Sequence, residues 1–159
     1  MAINLSEPVT ADLTIQQVAR RTGLSESALR YYERIGLIDP VPRDDSSGHR
    51  RFPPDLVAAV ESLACLRGTG MSVQDMRSYV TNMRDGADAV QAQQRLFADH
   101  AQHLADEITR LQLRRSYVAA KAQLWQARCD RDAGAEQRLI PTIVELGNRL
   151  LNQEATDGR

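Results

Sequence analysis

From Ala87 to Ala127 the chain runs for about forty residues with neither proline nor glycine, the two residues that interrupt helices. Within that run Val90, Phe97, Leu104, Leu111, Val118 and Trp125 recur every seven residues. A second row, offset by four, holds Gln94, Ala101, Ile108, Arg115 and Ala122. A seven-residue apolar repeat marks helices that pack along a common seam. The first row is wholly apolar; Gln94 and Arg115 interrupt the second, and the small Ala101 and Ala122 allow close approach. A helix of this length reaches about 60 Å. Covering its apolar row takes more surface than the rest of a 159-residue chain supplies. The pattern therefore predicts a coiled coil between two copies, held through Val90, Phe97, Leu104, Ile108, Leu111, Val118 and Trp125. The repeat does not by itself fix the direction in which the two helices run.

Ahead of this helix, Thr14 to Phe52 reads as two short helices, a turn and a hairpin. Thr14 and Gln17 have the spacing of a capping box. Ile15, Val18 and Ala19 supply an apolar face at helical spacing, and Gly23 suits the left-handed stop. Ser25 then caps a second helix over roughly Glu26 to Ile35, which Gly36 ends. Leu24 and Leu29 are placed to pack back on the first helix. This is a helix-turn-helix pattern, whose second helix fits a DNA major groove. That helix carries Ser27, Arg30, Tyr31 and Arg34, and the hairpin presents Arg43, His49, Arg50 and Arg51 around the turn Asp44–Gly48. Hydroxyls and arginines suit phosphate oxygens, and arginine also reads guanine edges. Tyr31 and Tyr32 differ by about 100° around the helix, so they cannot both face DNA.

Charge sets the terms of that reading. The net charge is −1, and residues 1–83 hold 9 arginines against 10 acids. DNA binding would then rest on the arrangement of charge rather than on a basic domain.

Three stretches in order, ALRYYERIGLI, SGHRRF and LRGTGMSVQDMRSY, resemble the DNA-binding domain of the MerR family of transcription regulators. The resemblance covers about Leu13 to Met83. It implies a winged helix-turn-helix domain with a second wing, an antiparallel dimer through the long helix, and a variable C-terminal part that senses an inducer. It also implies that Tyr31 touches phosphate and Tyr32 packs. The family mechanism would kink and untwist an over-long promoter so that RNA polymerase engages it. The expected fold is mainly α: residues 1–12 a disordered leader, 13–84 the DNA-binding domain, 87–127 an antiparallel coiled coil, and 128–159 a short C-terminal effector segment. Double-stranded DNA at a pseudo-palindromic operator is the expected partner, with a second copy of the chain. The candidate DNA contacts are Thr14, Arg20, Ser25, Ser27, Arg30, Tyr31, Arg34, Arg43, His49, Arg50, Arg51 and Arg67. For Arg20 the alternative is a favourable interaction with a helix C-terminus.

Pro53 and Pro54 open a third helix to about Arg67, with Leu56, Val60, Leu63 and Ala64 on one face. Ser72 caps a fourth over roughly Val73 to Met83, and Met71 reads as core. Gln126 to Gln137 is polar and reads as a loop, followed by a short amphipathic helix over Leu139 to Leu151 and a frayed tail. No membrane span or secretory signal is legible, which points to the cytoplasm.

Two cysteines stand far apart and form no disulfide framework. Cys65 lies about 180° from Leu56 around the third helix, away from the predicted core face. The run CLRGTGMS resembles a MerR subgroup that answers aldehydes and other thiol-reactive electrophiles. Cys65 is thus a candidate sensor, with a packing residue as the alternative, and Cys129 is a candidate second thiol or crosslink. A single cysteine near the end of the long helix does not make a soft-metal site, and His100 and His103 alone are a weak one. No metal, cofactor or catalytic constellation is expected. A coiled-coil adaptor without DNA binding, or a regulator sensing a non-covalent small molecule, are the competing functional readings.

Overall fold

A computed structural model of the chain describes residues 9–157. Most of the expected leader, residues 1–12, lies outside them. In order come β1 (Leu13–Thr14), α1 (Ile15–Thr22), α2 (Glu26–Arg34), β2 (Arg51–Phe52), α3 (Pro54–Gly68), α4 (Val73–Asp85), a 3-10 turn (Gly86–Ala89), α5 (Val90–Cys129) and α6 (Ala133–Asp157). The fold is mainly α, with a winged helix-turn-helix and a long helix, as the sequence predicts. It forms two compact units, one up to Ala98 and one from Asp99.

In the first unit the predicted caps are in place. Thr14 Oγ accepts from the Gln17 N–H at 3.3 Å, while Gln17 Oε1 accepts from the Thr14 N–H at 2.7 Å. Ser25 and Ser72 each accept from the N–H three residues on, at 3.1 Å. Gly23 closes α1 at φ 72°, a left-handed setting that glycine takes without steric cost. The core joins Val18 of α1, Leu29 and Tyr32 of α2, Phe52 of β2, Val57, Val60 and Leu63 of α3, and Met76 of α4. Met71 and Tyr32 are buried as read from the sequence.

Two details differ. The buried residues of α3 are Val57, Val60 and Leu63, whereas Leu56 and Ala64 are only partly buried. Val57 falls within the same arc of the helix, about 120° wide at about 100° per residue, so the core face is the expected one with Val57 added, and it meets both α1 and α4. The hairpin is also narrower than its sequence implies. Arg43 and Arg50 form one bridge; β2 takes its strand partner from far upstream, with Leu13 opposite Phe52 and Thr14 opposite Arg51 in antiparallel register.

In the second unit the expected loop over 126–137 shrinks to residues 130–132, because α5 continues to Cys129 and α6 starts at Ala133. The turn is made by Arg131 at φ 57°. Its N–H donates to Arg128 O at 3.1 Å, and the Asp132 N–H donates to Ala127 O at 2.9 Å. That is a Schellman closure built on arginine instead of glycine. Asp132 then caps α6 through the Ala135 N–H at 2.8 Å, leaving Gly134 inside the first helical turn. α6 reaches Asp157, well past the short helix expected over 139–151. Pro141 sits within it without ending it. The Gln137 carbonyl that loses its helical donor there belongs to an exposed residue, where water can take the place of the donor.

α5 carries two opposed apolar stripes. Leu113, Ala120, Leu124 and Ala127 are buried, and α6 approaches α5 at Tyr117 and at Arg128. Gly147 lies against the ring of Tyr117 (an added Cβ would be 3.6 Å from it), and Arg128 pairs with Glu136 at 2.7 Å. About 150° away on the helix, Leu111, Val118 and Trp125 of the heptad row remain exposed, by 53%, 65% and 58%. Ile108, Val90 and Phe97 are exposed too, and Leu104 is half-buried. Among the described residues, no helix is long and apolar enough to cross a membrane.

Candidate nucleic-acid interface

The strand pairing of β1 with β2 sets the start of α1 beside the base of the wing, and α2 lies against the other side. A cleft of about 300 Å³ opens there, lined by Thr14, Ile15, Gln16, Arg30, Arg43, Gly48, His49, Arg50 and Arg51. Six of the candidate DNA contacts thus meet at one place: Thr14, Arg30, Arg43, His49, Arg50 and Arg51. Four guanidinium groups around one open cleft make an anion-binding surface suited to a phosphate backbone.

Most of these cations already have an internal partner. Arg30 pairs with Glu26 one turn earlier at 2.9 Å, and Arg50 Nε donates to Glu33 Oε2 at 2.9 Å. Arg51 lies 3.9 Å from Asp44, and Arg43 donates to the Gly48 carbonyl at 3.0 Å. The pairs at Arg30 and Arg51 are about one-third exposed or more, so they are weak in water and exchangeable for phosphate.

The wing itself is shaped by two acids. Asp44 Oδ1 accepts from the N–H and hydroxyl of both Ser46 and Ser47, at 2.5–3.1 Å. These bonds, the Ser46 hydroxyl first, hold its carboxyl well below the usual carboxylate range, because they favour the charged form. Glu33 forks: Oε1 accepts from the Val41 N–H at 3.0 Å while Oε2 takes Arg50. It thereby fastens α2 to the entry of the wing. The bracing role of Glu33 was not legible in the sequence, because its partners lie 8 and 17 residues away. Asp44 had a local signal, an aspartate two and three residues before serines.

The remaining candidates lie outside the cleft. The Ser25 hydroxyl caps α2 and also bonds the Ser27 hydroxyl at 2.9 Å. Inside the cleft, Thr14 likewise spends its hydroxyl on the capping box. Tyr31 is exposed, with the Arg34 guanidinium 5.4 Å from its ring centre. Arg20 donates to Gln16 O at 3.4 Å within its own helix, and Arg67 donates to the Tyr32 hydroxyl at 3.3 Å. Cys65 is exposed on α3 and Cys129 is exposed at the end of α5; Cys65 is therefore not a core-packing residue. Among the described residues no group of three or more metal-ligating side chains gathers.

Comparison with known proteins bears on this geometry. Residues 14–52 match the model of the family described as "MerR family regulatory protein". The transcriptional regulator AdhR of Bacillus subtilis is 38% identical over 94 residues, 59% of this chain and 66% of that protein. An HTH-type transcriptional regulator of Haemophilus influenzae is 31% identical over 98 residues, 62% of this chain and 72% of that one. Among solved structures, HiNmlR, a MerR family regulator lacking the sensor domain and bound to promoter DNA, superposes with a TM-score of 0.63 at 26% identity, covering 80% of this chain and 95% of that one.

Proposed function

This chain belongs to the MerR family, and from that premise we propose that it is a homodimeric transcription regulator that distorts promoter DNA in response to an inducer. The observation that carries the reading is the cleft between α2 and the wing, where Arg30, Arg43, His49, Arg50 and Arg51 converge. In this reading residues 13–84 bind DNA, 87–127 join two copies, and 128–159 form the effector segment. The uncovered heptad row of α5 supports the dimer, since an apolar stripe of this length is unfavourable in water. The promoter DNA bound by HiNmlR supports the choice of ligand. Bending and untwisting such a site takes several kcal/mol, about 1–6 by elastic estimates, drawn from the contacts of both heads. RNA polymerase is engaged indirectly, through the reshaped DNA, in the cytoplasm.

The inducer reading is a thiol-reactive electrophile or aldehyde captured at Cys65, supported by the exposure of that thiol on α3. A second reading, non-covalent sensing, is favoured by one observation. Leu37, Leu56, Leu63, Tyr79, Val80 and Met83 line an apolar pocket of about 180 Å³ between α3 and α4.

The first experiment is binding to the DNA upstream of the chain's own gene, across a salt series. Specific binding should weaken steeply with salt, and Arg30→Ala or Tyr31→Phe should weaken it without unfolding the protein. Wild-type affinity in both variants removes these contacts from the reading, and no binding at low salt favours a protein-binding adaptor. Transcription in vitro with formaldehyde, comparing wild type with Cys65→Ser, tests the sensor. Equal responses transfer the sensing role to the apolar pocket.

A further inference from the structure

The outer face of α3 carries more than a thiol. Glu61 and Cys65 stand four residues apart and so lie one above the other on the same face of the helix. Glu61 Oε1 accepts from Arg21 Nε of α1, with side-chain exposures of 11% and 25%. The other carboxylate oxygen, Oε2, is buried with no hydrogen-bond partner. Two residues beyond Cys65, Arg67 Nη1 donates to the hydroxyl of Tyr32, the buried tyrosine of α2. The Tyr32 ring lies 6.2 Å from that of Tyr31. The stretch of α3 that presents Cys65 is therefore tied on one side to α1 and on the other to α2, the two helices of the DNA-reading motif.

We propose that the Arg21–Glu61 pair is the relay by which an adduct on Cys65 resets the helix-turn-helix. The proposal rests on the reading of Cys65 as the sensing thiol. With a maleimide as electrophile, the Cys65 sulfur forms a bond to one alkene carbon. The alkene π pair breaks, and its other carbon takes the thiol proton; nothing is oxidised and nothing leaves. The adduct occupies the face one turn from Glu61. A carboxylate held through one oxygen, with the other buried and unmatched, has little room to yield without leaving Arg21. Once it does, α1 loses this tie to α3. α2, packed on α1, moves with it. Glu61 is in this sense a positioning residue, acting on DNA only through α1.

The test uses the full chain with Cys129→Ser, so that Cys65 is the thiol available to N-ethylmaleimide. Intact mass confirms a single adduct, circular dichroism confirms folding, and affinity for the upstream DNA is measured before and after. In this parent the adduct should change affinity at least fivefold. In Glu61→Gln the adduct should form to the same extent and change affinity less than twofold. The charge swap Arg21→Glu with Glu61→Arg should restore the shift. A Glu61→Gln chain that shifts like the parent overturns the relay, and so does a folded swap that remains silent. Should Glu61→Gln fail to fold, the swap alone decides between these outcomes. A parent that carries the adduct with no change in affinity overturns the sensing reading itself, and the relay with it.

Discussion

Replacing Glu33 by alanine separates the two tasks of its carboxylate. Val41 is 6% exposed, so its N–H, which now donates to Glu33 Oε1 at 3.0 Å, would be left buried without an acceptor. That loss costs about 1–3 kcal/mol. The pair with Arg50 is largely shielded, with side-chain exposures of 19% and 26%. It contributes about 1 kcal/mol, the upper part of the range for accessible pairs. Glu33→Ala should therefore destabilise by roughly 2–4 kcal/mol. Glu33→Gln keeps a carbonyl for Val41 and gives up only the charge, so it should lose about 1 kcal/mol. Urea unfolding of the full chain measures both, with a lower midpoint and an unchanged slope as the mark of lost stability. Hydrogen exchange provides the local reading: the Val41 amide should lose protection in the alanine variant and keep most of it in the glutamine variant. Equal losses in the two variants, or an alanine variant within 0.5 kcal/mol of wild type (about the noise of such comparisons), would refute the bracing role.

Three further outcomes follow from the geometry. Leu111→Asp puts a charge in the exposed heptad row and should convert a dimer to a monomer in light scattering, with helix content retained; a dimer that persists contradicts the seam. Cys129 continues the second heptad row, four residues after Trp125. In an antiparallel pair the two Cys129 thiols stand at opposite ends of helices about 60 Å long, so a mild oxidant should give no Cys129-linked dimer on a non-reducing gel; efficient crosslinking would instead indicate parallel helices. Asp44 has its carboxyl held far below the ordinary value of 3.8. Its ionised form therefore supports the wing turn fully above about pH 4, and that support is lost only as pH falls through the lower folded value. The Asp44 carboxyl carbon should show no NMR titration midpoint near 3.8; one found there would disprove the hydrogen-bonded turn.

The parts of this fold that were legible in the sequence are those written within one or two turns. The caps at Thr14, Ser25 and Ser72 each involve residues three apart, and the heptad row of α5 repeats along a single helix. Contacts that close over distance left no such trace. The pairing of Leu13 with Phe52, the fork of Glu33 and the Arg21–Glu61 pair join residues that no short pattern relates. The turn between α5 and α6 was misplaced for another reason. The polarity of residues 126–137 reads as a loop, but the turn is only three residues long and its left-handed residue is Arg131, which a propensity rule passes over. The stripe Leu113, Ala120, Leu124 and Ala127 was hidden because the more regular row on the opposite face drew the assignment. Of the candidate DNA contacts, the sequence grouped residues by type. The structure brings six of them to one cleft and commits the hydroxyls of Thr14 and Ser25 to capping.

The acids beside Arg30, Arg50 and Arg51 have a consequence for how such a protein would search a genome. Each guanidinium carries its own tethered counter-ion. A stray phosphate must displace a carboxylate that is covalently nearby and never diffuses away. Random DNA, which engages one or two arginines at a time, gains little from that exchange, and residence there is short. Only a site that presents phosphates to all the arginines together displaces the whole set at once. A head whose arginines sit beside its own acids would thus keep its chemistry for DNA and lose much of its appetite for the wrong DNA, with discrimination arising from what the arginines already hold.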